Sequence, residues 1–375
     1  MLAGSVVACG STSKSTSTPS PAERAAKAAA EPRFASRGPY GVGVTTLHLA
    51  DGRSVEVYYP ADHADVDGKP IERYNETEPV PAAIIAAYPV PAGVDLTVEI
   101  PAVRDVAASA KGPFPLVLFS HGSGGWRDVY GNLLSGIASW GFVIASTDFT
   151  EYGLLAGFSG TLAAGEAKAT AIVGTLHATL DLMTAQNGAV GGRFVHRIDP
   201  VRIAAAGHST GGRTMFRLLG DSHIRTIIGW APDGPAAPVT SSTPTLIIGG
   251  DGDAAITPAE VTATYGELRP SKRVVSIANM GHNAFTDTCP SIRNGTDLIG
   301  IAKSMKVPIP DDVLELGRNG CAPSNLDPAL GWKVIQHFTV AQLRATFAMD
   351  PEPVGLGDAV TTAFDGVTMT MRHDP

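Results

Sequence analysis

Six short apolar runs, separated by stretches of helical periodicity, constrain this chain more than any other feature. They are Pro115–Ser120, Phe142–Ser146, Arg202–Gly207, Arg225–Trp230, Thr245–Gly249 and Arg273–Ile277. A run of that kind has no polar face to offer water, so it reads as a strand buried on both sides. Tyr130–Trp140, Ala163–Gln186 and Gly211–Leu219 read as helices between them. Strands alternating with helices predict an α/β fold, a mostly parallel sheet covered on both faces. Ahead of them, Gly41–Ala50 and Arg53–Tyr59 flank Asp51-Gly52, a hairpin signal that adds antiparallel strands at the N-terminal edge.

The chain has 375 residues, 44% hydrophobic and 17% charged, enough for one large core. One domain is expected over residues 36–350, with insertions at about 60–112 and 289–331. The second insertion carries helical stretches at Thr296–Lys306 and Asp311–Leu316, and Trp332–Phe347 reads as a closing helix. Residues 351–375 read as a C-terminal tail. The formal net charge of −8 and the lack of a dense Lys/Arg run exclude a phosphate-tracking surface, so no nucleic-acid partner is expected. No apolar run reaches the roughly 20 residues of a spanning helix. No CxxC or HxxxH spacing occurs, and neither a metal nor another cofactor is expected.

Residues 1–35 read as a signal remnant and a disordered Ser/Thr/Pro-rich tether. Val6-Val7-Ala8-Cys9 is similar to a bacterial lipobox, which makes Cys9 the expected lipid anchor of an exported protein. No basic segment precedes it and the apolar run is short; a truncated or misassigned start accounts for both. The competing reading is a disordered tail with one stray cysteine. Two readings also stand for Cys289 and Cys321: one disulfide, if the chain is exported, or two unrelated buried thiols.

Gly207-His208-Ser209-Thr210-Gly211 matches the G-x-S-x-G nucleophile elbow, in which small residues let a strained strand-to-helix corner carry the serine clear of the sheet. With 42 glycines in the chain the pentapeptide alone is a weak signal. Its context is specific: the apolar strand Ile203–Ala206 precedes it and the amphipathic segment Arg213–Leu219 follows. With this elbow, Leu116–Gly122 and Pro244–Gly249, the stretch from about Gly38 to Phe347 resembles α/β-hydrolases. Within them it is similar to dienelactone hydrolase and platelet-activating-factor acetylhydrolase-like esterases. The region Ile228–Phe285 also looks like bacterial cutinases and polyester hydrolases.

Ser209 needs a base within hydrogen-bond reach. The resemblance implies His282, in Gly281-His282-Asn283 after the last apolar run, among ten histidines in the chain. His121 reads as a loop anchor, and His208, inside the elbow, is expected to aim away from the Ser209 hydroxyl. An acid must orient the imidazole. Asp253 matches the family position, Asp233 after the preceding strand is the rival, and Asp251 reads as a turn residue. For the oxyanion, the N–H of Thr210 directly follows the nucleophile, and the resemblance implies the N–H of Ser123 as the second donor. Trp126 and Trp230, beyond strand ends, are candidates to wall a substrate pocket, although a tryptophan near a strand end is more often ordinary packing. Asp148 and Tyr152 either border the site or cap loops. The second insertion is either a lid or an extra structural layer.

The resemblance implies hydrolysis of a carboxylic ester through an acyl-enzyme, by an esterase, lipase or polyester hydrolase. An acyltransferase with the same triad remains open, as does a non-catalytic surface lipoprotein. The sequence leaves the oligomeric state open.

Overall fold

The computed structural model describes Met1 and residues 20–154, 156, 165–307, 309 and 311–375. Cys9 and the adjoining Ser/Thr-rich stretch lie outside the described residues.

Twelve strands are seen among the described residues: β1 (Gly41–His48), β2 (Ser54–Ala61), β3 (Glu72–Asn75), β4 (Thr97–Ile100), β5 (Val103–Arg104), β6 (Phe114–Ser120), β7 (Val143–Thr147), β8 (Ile198–His208), β9 (Ile224–Trp230), β10 (Thr245–Gly250), β11 (Lys272–Ile277) and β12 (Met369–Asp374). Ten of them form one sheet in the order β12-β11-β10-β9-β8-β6-β7-β2-β1-β5. The six apolar runs became the parallel block from β7 to β11. The hairpin β1–β2 joins it antiparallel through β2 and β7.

The apolar runs are continuous because the sheet divides two cores. On β6, Leu116 and Leu118 enter one core and Val117 and Phe119 the other. The alternation repeats on β8, where Ile203 and Ala205 oppose Ala204 and Ala206. One face is covered by the helices Gly131–Ala138 and Pro328–Thr346, which bury Leu133, Ile137, Val334 and Phe338. The other is covered by Gly165–Gly188 and Pro258–Glu267, through Ile172, Leu176, Val261 and Tyr265. No helix among the described residues is long and apolar enough to cross a membrane.

Both chain ends depart from expectation. Pro21–Ala29 is a helix with a complete capping box between Ser20 and Glu23 and proline in its first turn. Phe34 follows, buried edge-to-face against Trp140 with ring centroids 4.8 Å apart. The part of the expected tether from residue 20 onward is therefore docked structure. At the other end, residues 351–375 are not a loose tail. They bury Val360 and close the sheet with β12, antiparallel to β11.

The insertion 289–331 holds the helices Thr288–Arg293, Leu298–Ser304 and Asp311–Arg318. Cys289 and Cys321 are joined in a disulfide, with Cα atoms 4.9 Å apart and a separation of 32 positions in sequence. Closing a loop of that length restricts the unfolded chain by roughly 3–4 kcal/mol at room temperature. Replacing both cysteines by serine is expected to lower unfolding stability by about 2–4 kcal/mol in a denaturant titration. An unchanged midpoint would show that the bridge does not constrain the unfolded chain.

Candidate active site

Strand β8 ends at His208, and the chain turns at Ser209 with φ 53° and ψ −121° into the helix Thr210–Met215. A non-glycine residue at positive φ is strained, and its neighbours show what holds it. The Ser209 N–H donates to the Trp230 carbonyl on β9 (2.8 Å), and its carbonyl accepts from Arg213 (2.9 Å). A Cβ at Gly207 would lie 2.6 Å from the Gly211 carbonyl carbon, so the outer glycines of the motif are demanded by the tightness of the corner. Ser209 itself is half-buried.

The loop after β11 brings His282 Nδ1 to 2.8 Å from Asp253 Oδ2, with 8% and 0% of the two side chains exposed. Asp253 Oδ1 accepts the N–H groups of Ala255 and Ile256, both at 2.8 Å. A carboxylate only accepts, so Nδ1 carries the imidazole proton and Nε2 is left as the basic nitrogen. Asp233, the rival acid, is held by Arg213 Nη1 at 2.5 Å. Burial raises the pKa of Asp233, opposed by the Arg213 charge. Asp251 lies in the turn after β10, and its Oδ1 accepts the N–H of Asn279 in the loop after β11.

After β6, the loop returns to the elbow. Ser123 Oγ lies 2.8 Å from Thr210 Oγ1, which brings the two expected oxyanion residues together. Thr210 is the first residue of its helix, where an amide has no carbonyl within the helix to receive it. A Cβ on Gly122 would stand 3.3 Å from Ser209 Cβ, so the loop passes directly beside the serine.

Two family models match the chain: platelet-activating factor acetylhydrolase, isoform II, over residues 29–153, and PET hydrolase-like over residues 129–303. The fold is that of a ferulic acid esterase from Streptomyces cinnamoneus, at a TM-score of 0.57 and 22% identity, covering 89% of this chain and 97% of that one. Among curated proteins none matches the chain by sequence. The chain has the α/β-hydrolase fold.

Two tryptophans considered as pocket walls are core side chains. Trp230 is 0% exposed, lies 5.2 Å from Phe119 between ring centroids, and donates its indole N–H to Thr339 Oγ1 (3.1 Å). It sits two residues beyond Ile228 on β9 and therefore points into the same core. Trp126 is 6% exposed and packs against Tyr74 at 6.3 Å. The neighbouring Asp148 and Tyr152 also serve the scaffold. Asp148 binds the Arg127 N–H and guanidinium (2.8 and 2.9 Å), and the Tyr152 hydroxyl lies 2.5 Å from Ser120 Oγ. His121 anchors its loop as expected, with Nδ1 on the Gly122 carbonyl (2.8 Å) and Nε2 accepting from Phe149 (3.0 Å). Among the described residues no cluster of three His, Cys, Asp or Glu side chains is placed to hold a metal ion.

Sequence reasoning missed Asn319. From the second insertion, its Oδ1 accepts the N–H of His282 (2.8 Å) and of Ala254 (3.1 Å), and its carbonyl accepts from Asn283 (2.9 Å). One side chain thus ties the Asp253 loop to the His282 loop. Cys321, two residues on, fastens it through the disulfide, so the insertion buttresses the site. Gly320 permits this contact: it has φ 87°, and a Cβ there would collide with the Gly281 backbone. No local pattern marks Asn319; only the tertiary fold brings it to the site. Asn319→Leu is expected to lower unfolding stability by about 2–4 kcal/mol, because two N–H groups lose their acceptor. A denaturant midpoint equal to wild type would show that water replaces the amide without cost.

Proposed function

We propose that the protein hydrolyses carboxylic esters through an acyl-enzyme on Ser209, with His282 as base and Asp253 as the acid that orients it. The buried Asp253–His282 pair beside the elbow carries this reading, because it leaves Nε2 as the unprotonated nitrogen of the His282 ring. In the first step Ser209 Oγ attacks the ester carbonyl carbon while its proton passes to His282 Nε2. The N–H groups of Thr210 and Ser123 receive the charge that develops on the carbonyl oxygen. The imidazolium then returns the proton to the departing alkoxide. Water then attacks the acyl carbon as the same nitrogen takes its proton, the bond to Ser209 Oγ breaks, and the imidazolium returns the proton to Oγ as the acid leaves.

The two matched families, both named for hydrolases, support ester hydrolysis rather than a binding role. A panel of p-nitrophenyl esters from acetate to palmitate tests the reading. We expect turnover with a clear preference for one range of acyl length. No turnover of any ester, or release of acyl groups only to an added alcohol, would contradict it.

We also propose export. The Cys289–Cys321 disulfide supports folding in an oxidising compartment, and Cys9 is the residue available for lipidation. Intact mass of the native protein tests this: a processed, acylated Cys9 is expected, and an unprocessed thiol contradicts the anchor.

A further inference from the structure

We infer that Tyr130 and His208 are positioning residues that hold the oxyanion loop and the base loop at a set spacing on either side of Ser209. The inference rests on the reading of Ser209 and His282 given above.

A continuous buried chain of hydrogen bonds carries it. The Gly122 N–H lies 3.1 Å from Tyr130 Oη, Tyr130 Oη lies 2.8 Å from His208 Nδ1, and His208 Nε2 lies 3.1 Å from the main-chain carbonyl of His282. Chemistry orders every proton in it. A carbonyl only accepts, so His208 Nε2 is the protonated nitrogen and Nδ1 is bare. The Tyr130 hydroxyl must then donate to Nδ1, and its lone pair accepts from the Gly122 amide. Tyr130 and His208 are both buried, so their polar atoms are satisfied by partners within the protein. Burial, and then the neighbouring His282, hold the His208 pKa well below its ordinary value, which keeps the ring neutral and the order intact.

Each link sits at or next to a proposed catalytic group. Gly122 precedes Ser123, His208 precedes Ser209, and the terminal carbonyl belongs to His282 itself. The sheet does not set this spacing. The oxyanion loop leaves β6, which neighbours β8, but the base loop leaves β11, three strands from β8, and must fold back over β10 and β9. The chain supplies that register. Packing reinforces it: the His208 ring lies 4.7 Å from His282 and 5.2 Å from Phe285 between centroids. A Cβ on Gly122 would come within 2.9 Å of His208 Nδ1, so only glycine lets the loop this close.

Tyr130→Phe cuts the chain at the oxyanion end. His208→Asn keeps an acceptor for Tyr130 and cuts it at the base end. The test measures kcat and KM of the full-length protein on a p-nitrophenyl ester, beside Ser209→Ala and the double variant. Each single variant is expected to lose about 10- to 100-fold in kcat with KM within about 3-fold, as for a small misplacement of reacting groups. Because either cut interrupts the same continuous chain, the double variant is expected to be about as slow as the slower single one. Should Tyr130→Phe not fold, His208→Asn reads the same chain from its base end. The inference is overturned if Ser209→Ala is inactive while the folded variants keep kcat within about 2-fold of wild type. It is equally overturned if their loss lies in KM, or if the two losses multiply. Full activity in Ser209→Ala removes the nucleophile assignment and this inference with it.

Discussion

Ser209→Ala is expected to lower kcat on a p-nitrophenyl ester by about five to six orders of magnitude, with KM little changed. The whole loss follows from one oxygen. Without Oγ there is no covalent intermediate, and His282 can at best activate a water held by nothing in the site. The elbow survives the change: alanine has the same backbone needs as serine, and the Ser209 amide bond to Trp230 is main chain. The protein should therefore fold, bind ester and leave it uncut, and any residual rate measures the oxyanion donors alone. Steady-state kinetics with a thermal melt check both halves of the expectation.

Asp253→Asn is expected to lower kcat by about four orders of magnitude, while Asp233→Asn leaves it within a few-fold. The Asp253 loss has a geometric cause. The N–H groups of Ala255 and Ile256 both point at Oδ1 and will retain the amide oxygen there. The amide nitrogen must then take the Oδ2 position, 2.8 Å from His282 Nδ1. Two donors cannot face each other, so the imidazole proton moves to Nε2 and the base is lost. Asp233 meets Arg213, and its replacement costs a half-exposed ion pair of small worth. The reverse order of the two losses would move the acid to β9.

The parallel block and the elbow were legible in the sequence because their signals are local. A strand between two cores must be apolar at every position, and a serine at positive φ must have small neighbours. Asp253 was separable from Asp233 only through the resemblance. Contacts that join distant segments were not legible: Asn319 reaches His282 across 37 residues, and Tyr130 reaches His208 across 78. β12 escaped notice because an edge strand is largely exposed and carries no apolar run. The N-terminal helix had a readable signal, Ser20-Pro21-Ala22-Glu23, masked by the Ser/Thr-rich composition before it. Trp230 stood open between pocket and core although strand alternation was enough to put it beside Ile228 in the core.

The central claim is that one serine is made nucleophilic by the Asp253–His282 pair. A fluorophosphonate probe followed by peptide mass spectrometry tests it most directly. The account predicts a single stoichiometric adduct on Ser209, formed at least about 10³-fold more slowly in His282→Ala. An adduct on another residue, or one whose rate ignores His282, would contradict it.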